Sequence, residues 1–265
     1  MTTFDTTALA RELLDATRER TEVDPLTERF PGLDLREAYG VQLAQVRERT
    51  SAGARVTGHK IGLTSAAMQR QLGVREPDFG HLYDDMEVVD GRIDPGRFIA
   101  PRVEPEIAFV LKADLAGPGL TPRDALAAVG HVLPALEIID SRVRDWRIAL
   151  PDTVADNASS GAYLLGAVGA DPREHDLSRL GCVLRDGPEV VVTGNGSAVL
   201  GHPLNALVWL ANTLGALGTG LTTGQVVLSG SLTAAVPLRP GSTLSADFQG
   251  LGHLGLHVEQ RKVIV

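Results

Sequence analysis

The chain is short of several things, and each shortage closes off a class of function. Cysteine occurs once, at Cys182, so no intrachain disulfide can form, and the lone thiol suits a reducing cytoplasm. Lysine is nearly missing. Lys60, Lys112 and Lys262 stand alone, and the other 22 of the 25 basic residues are arginines. There is no basic run, and the formal net charge is −8; such a surface is poorly suited to nucleic acid or an anionic membrane. Long apolar runs are absent too. The most apolar stretch, Leu204 to Leu217, is short and is broken by Asn205 and Asn212, so no bilayer span is expected. Met1 to Arg20 is charged and lacks an apolar h-region, so no secretory signal is expected. No internal repeat, linker or low-complexity segment interrupts the chain.

What remains is an ordinary globular composition: 265 residues, 43% apolar and 22% charged. A chain of this length can bury a core without disulfides or metals to prop it up. The first 50 residues read as two amphipathic helices. Asp5 or Thr6 caps the first, with Leu9, Leu13 and Leu14 on one face. Asp34 and Glu37 form a capping box for the second, with Leu35, Tyr39, Leu43 and Val46 as its apolar stripe. Strand patterns follow over Arg55–Gly62 and Val103–Leu111, and an apolar strand over Leu136–Ile139. A hairpin is expected over Glu87–Ile93, turning at Asp90-Gly91. Short helices are expected after Thr64 or Ser65 and from Pro122 to about Val132, and a longer one from Pro203. Short strands separated by glycine turns fill the stretch from Gln225 onward. Helices first and turn-rich strands later argue for an α+β protein with a mixed, barrel-like sheet. Residues 1–54 form the helical N-terminal region and residues 55–265 one catalytic core.

The strongest chemical signal is Arg102-Val103-Glu104-Pro105-Glu106-Ile107. On a strand, Glu104 and Glu106 point to the same side. Two such carboxylates repel unless one takes a proton or a cation sits between them. Pro105 cannot donate to a ladder, which places the strand at an edge or mouth. Glu137 is flanked by apolar residues in Leu136-Glu137-Ile138, where a free carboxylate is costly. Three carboxylates from two strands suit a hard cation, Mg²⁺ or Mn²⁺, better than zinc. Asp140 is expected to pair with Arg142 or Arg144. Lys60, in Gly58-His59-Lys60-Ile61-Gly62, is conspicuous in a chain that uses arginine for surface charge. A lysine can shift its pKa and move protons, which an arginine cannot. Asp156 to Gly161 and Ser229 to Leu232 are polar loops able to offer hydroxyls and N–H groups to a small acid. His253, His257 and Cys182 read as structural.

These motifs, in this order, resemble the fumarylacetoacetate hydrolase superfamily, and within it the 2-hydroxypenta-2,4-dienoate hydratase and 4-oxalocrotonate decarboxylase family of meta-cleavage pathways. The likeness runs from the N-terminal helices to the last strands. It is carried by Lys60-Ile61-Gly62-Leu63-Thr64-Ser65, Gln71-Leu72-Gly73-Val74, Pro77-Asp78-Phe79-Gly80, Glu104-Pro105-Glu106, Leu136-Glu137, Asp152 to Ser159, and Leu200 to Asn205. The resemblance implies a mixed β-roll core of the fumarylacetoacetate hydrolase type, Mg²⁺ or Mn²⁺ on Glu104, Glu106 and Glu137, and a homo-oligomer, with contact to neighbouring pathway enzymes. It places Lys60 at the substrate and Asp78 in a segment covering the pocket, and makes these two the candidates for proton transfer. Ser160, Ser231 and the backbone around Leu63 are the substrate-binding candidates.

Ile61-Gly62-Leu63, Pro77 to Gly80 and Ser229-Gly230-Ser231-Leu232 look more like the hydratase branch. The implied reaction is metal-dependent addition of water to a 2-hydroxy-2,4-dienoate. Two alternatives stay open: 4-oxalocrotonate decarboxylation on the same scaffold, and a non-catalytic partner subunit holding a structural ion. Glu76, Asp78, Asp84 and Asp85, set against Arg75 alone, are expected to make the pocket cover acidic and hostile to a second carboxylate.

Overall fold

Helix α1 (Thr6–Glu19) begins on Asp5, whose carboxylate accepts from the Thr7 and Ala8 N–H groups. These are donors that the first turn leaves without helical partners. After the short α2 (Leu26–Arg29), helix α3 (Leu35–Ser51) starts on the expected capping box. Asp34 accepts from the Glu37 N–H, and the Glu37 carboxylate accepts from that of Asp34. The inward face of α3 is wider than the expected stripe: Leu35, Tyr39 and Val46 pack on the core, and Leu43 does not. Ala38, Val41, Gln42, Ala44 and Gln45 face inward, while Leu43 is 43% exposed. Small residues let α3 lie close to α1. The two buried glutamines are satisfied because Gln42 donates to the carbonyls of Phe79 and Val154 and Gln45 to that of Ala155. The structure, a computed structural model, describes residues 5–261; Lys262 lies outside them.

The remaining elements are β1 (Val56–Gly62), α4 (Ala66–Leu72), β2 (Asp78–Tyr83), β3 (Arg92–Ile93), β4 (Arg102–Leu111), α5 (Pro122–Ala128), β5 (Val129–Ile139), α6 (Leu150–Ala155) and β6 (Ser160–Leu165). Then come β7 (Gly181–Asp186), β8 (Glu189–Asn195), α7 (Pro203–Ala216), β9 (Val226–Ser231), β10 (Val236–Pro237), β11 (Thr243–Phe248) and β12 (Gly252–Val258). Helix α4 is capped by Ser65 and stops at Gly73, whose φ of 67° is left-handed, as the Ser and Gly signals imply. Helix α5 ends earlier than expected. Its apolar continuation joins β5, pairing Val129 with Leu111 and Val132 with Phe109.

The strands form two sheets. One runs β2-β1-β9-β4-β5-β6 with β10 also on β4; the other runs β3-β12-β11-β7-β8. Both mix parallel and antiparallel pairs, as expected for the α+β mixed-sheet class. Two local expectations fail. The Glu87–Ile93 hairpin does not form, because β3 pairs in parallel with β12 and Glu87 bridges to Tyr163. Strand β4 is not an edge, since β5, β9 and β10 all pair with it. Pro105 is tolerated because β9 leaves the ladder after Ser231 and β10 rejoins only at Val236. In that gap Pro105 needs only to accept, from Leu232 N at 2.9 Å.

The main core joins β4 and β5 (Ile107, Phe109, Leu136, Ile138) to α7 (Leu207, Leu210) and to the second sheet (Leu244, Phe248, Leu256). A second cluster packs Leu9, Leu13, Leu26 and Val41 against Val154 and Ala155 of α6. The N-terminal helices therefore back the segment that leads from α6 into the site.

Candidate active site and metal centre

Strand periodicity puts Arg102, Glu104 and Glu106 on one face of β4. On the neighbouring β5, Glu137 is the direct cross-strand partner of Glu104. Glu104, Glu106 and Glu137 each present an oxygen within 4.8 Å of the others. Glu106 and Glu137 are each 1% exposed, while Glu104 is half-buried and opens into the cavity. Gly230 N–H donates to Glu106 Oε2 at 2.7 Å. Glu106 Oε1 and both oxygens of Glu137 have no hydrogen-bond partner.

The facing wall comes from β1 and β2, where Lys60 pairs with Gly80 and Gly62 with Asp78. Sheet curvature brings Lys60 Nζ to 3.3 Å from Glu137 Oε1, and it donates to the Ala158 carbonyl at 2.8 Å. Asp78 accepts from Thr153 Oγ1 at 3.2 Å, and its Oδ1 is unpartnered. Gly62 is required here: a Cβ on it would lie 2.2 Å from Asp78 Oδ1. Gly80 matters for the same reason, since its Cβ would lie 2.3 Å from the Asn157 carbonyl.

The segment that supplies the Ala158 carbonyl is strained. Asn157, Ala158 and Ser159 have φ of 52°, 51° and 54°, and Leu63 across the cavity has 56°. Left-handed non-glycine residues cost about 1–2 kcal/mol each, so the surroundings must hold the turn. Asn157 both accepts from and donates to the His81 backbone, at 2.8 and 2.9 Å. Buried Arg142 pairs with Asp156 and donates to the Asp156 and Ser160 carbonyls at 2.6 and 3.0 Å.

The electrostatics show what the site lacks. Burial, then the neighbouring Glu137, pushes Glu104 up to about 7. Burial and the other two acids push Glu106 well above the carboxylate range, and burial raises Glu137 against the pull of Lys60. Burial also raises Asp78. Burial alone would lower Lys60, but the field of Glu137, Asp78, Glu104 and Glu106 outweighs it and raises the ammonium pKa. One lysine cannot neutralise three converging carboxylates, and Glu106 Oε1 and Glu137 Oε2 have neither a hydrogen bond nor an ion pair. A divalent cation with oxygen ligands fits both facts. The three ligand oxygens, all within 4.8 Å of one another, are close enough to share one such ion. No histidine or cysteine belongs to the trio.

A cavity of about 290 Å³ opens on this cluster and is lined by Lys60, Leu63, Asp78, Glu104, Thr153, Ser159 and Ser231, among others. Of the residues expected at the site, Lys60, Asp78, Glu104, Glu106, Glu137, Leu63 and Ser231 come together. Ser231 Oγ is already engaged with the Thr233 carbonyl at 2.9 Å. Ser160 is not brought there. Its hydroxyl donates to the Asn157 carbonyl at 2.7 Å, and it lines a different cavity behind the turn. Ser159 lines the acid cavity instead, with its own hydroxyl donating to Asp156 Oδ2 at 3.5 Å. Asp140 pairs with neither arginine: its carboxylate accepts from the Ile99 and Ala100 N–H groups, while Arg142 takes Asp156 and Arg144 takes Asp24. Asp84 and Asp85 do not cover the cavity; they pair with Arg55 and Arg49. Arg102, Thr153 and Trp146 line the cavity but went unremarked in the sequence. Arg102 had a signal, since it stands two residues before Glu104 on the same strand face.

Residues 88–259 match the model of the fumarylacetoacetate (FAA) hydrolase C-terminal family. The chain is 45% identical, over 96% of its length and 95% of the relative's, to a 2-keto-4-pentenoate hydratase of Paraburkholderia xenovorans. It is 44% identical to a 2-hydroxyhexa-2,4-dienoate hydratase of Comamonas testosteroni, over 91% and 93% of the two chains. Among solved structures, 4-oxalocrotonate decarboxylase from Pseudomonas putida G7, complexed with magnesium and adipate, superposes with a TM-score of 0.93 at 38% identity, covering 96% and 97% of the two chains.

Proposed function

The chain belongs to the fumarylacetoacetate hydrolase family, and from that membership and the geometry of the acid cavity we infer its reaction. It is a hydro-lyase that adds water to a 2-hydroxy-2,4-dienoate, giving a 4-hydroxy-2-oxoacid, in the catabolism of ring-cleavage products. The observation that carries the chemistry is the buried trio of Glu104, Glu106 and Glu137 with Lys60 Nζ 3.3 Å from Glu137. A structural ion would need no such lysine, which disfavours the non-catalytic subunit.

Glu104, Glu106 and Glu137 would hold a divalent metal, with Mg²⁺ or Mn²⁺ as our assignment. When bound, it supplies a Lewis acid toward the substrate carboxylate and the adjacent 2-oxygen. Lys60 keeps its proton in the field of the acids, delivers it to C5 as the dienol ketonises, and is reprotonated by the proton that the 2-hydroxyl gives up. Asp78 Oδ1, unpartnered and facing Gly62, takes a proton from the water that adds at C4 and returns it to C3 as the 2-oxo group re-forms. Thr153 orients the Asp78 carboxylate through its other oxygen. Ala158, through its carbonyl, fixes Lys60 beside Glu137.

The decarboxylase reading is favoured by one observation, the likeness to the decarboxylase structure. The acidic-cover argument against it loses Asp84 and Asp85, which are tied up elsewhere, and keeps only Asp78 in the cavity wall. The hydratase reading rests on the relatives that are 44–45% identical. The test is an ultraviolet assay of 2-hydroxypenta-2,4-dienoate loss, with and without divalent metal, alongside CO₂ release from 4-oxalocrotonate. Hydration without CO₂ supports the reading. Rapid CO₂ release with negligible hydration reverses it. A cytoplasmic homo-oligomer, docked to neighbouring pathway enzymes, completes the proposal; light scattering of the purified protein reads the subunit count.

A further inference from the structure

One wall of the cavity carries a cation that the mechanism above does not use. The guanidinium carbon of Arg102 lies 4.5 Å from the centroid of the Trp146 ring. The indole is itself pinned, donating from Nε1 to the Ala100 carbonyl at 3.0 Å. Arg102 is half-buried and lines the cavity. Its side chain makes no hydrogen bond or ion pair with any described residue. Buried Arg142 shows what a purely structural arginine looks like here, with its donors taken by Asp156 and the Ser160 carbonyl. A guanidinium has five donors in a rigid fork suited to a planar carboxylate. Stacking on an indole fixes the plane of that fork without using any donor.

Position decides which carboxylate it can meet. Arg102 stands two residues from Glu104 on the same strand face, about 7 Å along β4. It is near enough to help hold down the Glu104 carboxyl, though burial and Glu137 prevail. Arg102 and Glu104 line the same cavity, so the fork borders the open side of the acid trio.

We propose that Arg102, held flat on Trp146, is a substrate-binding residue whose guanidinium takes the C1 carboxylate of the 2-hydroxydienoate, so that C4 and C5 face Asp78 and Lys60. It takes the place expected of Ser160, whose hydroxyl points elsewhere. The assignment deepens the hydratase reading and rests on it.

The test is binding, not turnover. Parent protein, Arg102→Met, Arg102→Lys and Trp146→Leu are loaded with Mn²⁺, and Mn²⁺ affinity is read by electron paramagnetic resonance. Each is then titrated calorimetrically with oxalate, which mimics only the carboxylate and adjacent oxygen, and with adipate, whose second charge is remote. Arg102→Met should keep its Mn²⁺ and bind oxalate at least tenfold more weakly. Arg102→Lys should recover part of the loss, and Trp146→Leu should lose less than Arg102→Met. Oxalate binding within twofold of the parent would overturn the assignment. So would a loss confined to adipate, which puts Arg102 at a distal carboxylate, or a loss of Mn²⁺, which makes it a support of the acids. Failure of the hydratase reading shows separately, as absence of dienoate loss in the parent protein whatever Arg102 does.

Discussion

His59 and His81 lie side by side on the face of β1 and β2 opposite Lys60 and Asp78, with ring centroids 4.8 Å apart. They are 5% and 7% exposed, and each leaves Nδ1 without a partner. Burial holds both rings neutral. It pushes His59 down to about 3, with help from His81, and His81 down to about 4. An unfolded-chain histidine titrates near pH 6.5. Below that value the unfolded chain takes up two protons that the native state refuses, so stability falls as the pH falls. At about pH 4.5 the linkage amounts to about 2.5 kcal/mol per histidine, or about 5 kcal/mol for the pair. That is a large share of a domain stability of about 5–15 kcal/mol. Glu104 and Asp156, raised by burial to about 7 and about 6, act in the opposite sense, because their native forms hold protons longer than the unfolded chain does. The comparison must therefore be differential. Urea unfolding of the parent and of His59→Gln/His81→Gln, followed from about pH 7 to about pH 4.5, cancels the carboxylate contributions common to both. The parent should lose about 5 kcal/mol relative to the double variant. Parallel stability profiles over that range would refute the reasoning. The pair also bears on the site, because the His81 backbone anchors Asn157 and hence the Ala158 carbonyl that aims Lys60.

Glu104→Gln, Glu106→Gln and Glu137→Gln each replace a charged ligand by a neutral amide, and each should weaken Mn²⁺ binding at least tenfold by calorimetry; a Glu137→Gln protein with parental affinity would remove the metal from the mechanism. Lys60→Ala should fold, retain metal and lose turnover by roughly 10² or more. Lys60→Arg should not rescue it, because guanidinium does not release its proton; dienoate loss within a few-fold of the parent would reduce Lys60 to a buried counter-charge. Gly62→Ala puts a methyl where Asp78 Oδ1 lies 2.2 Å away, so it should lower turnover more than tenfold and cost about 1–3 kcal/mol of stability, with Mn²⁺ binding intact. Undiminished turnover in that variant would show that Asp78 is free to move and does no precise positioning.

Local rules were enough for whatever depends on a few neighbouring residues. The Asp34–Glu37 box, the Ser65 cap and the Gly73 stop were written in adjacent side chains. The shared face of Glu104 and Glu106 follows from strand periodicity alone. Glu137 stood out because an unpaired carboxylate between Leu136 and Ile138 is too costly to leave without a partner, and Lys60 stood out because the chain otherwise uses arginine. None of these rules says which strands lie together. That Glu104 faces Glu137, or that Lys60 reaches the same carboxylate from β1, depends on how the sheet orders and curls. Pro105 suggested an edge, but the gap between β9 and β10 that accommodates it is created by residues more than a hundred positions away. The stripe of α3 was drawn too narrow because Gln42 and Gln45 are buried only through carbonyls on β2 and α6. Ser160 looked as available as Ser159 in the linear chain. Three left-handed residues, held by His81 and Arg142, put Ser159 in the wall of the acid cavity and Ser160 behind it, and such strain is stabilised only by contacts that exist once the fold is complete.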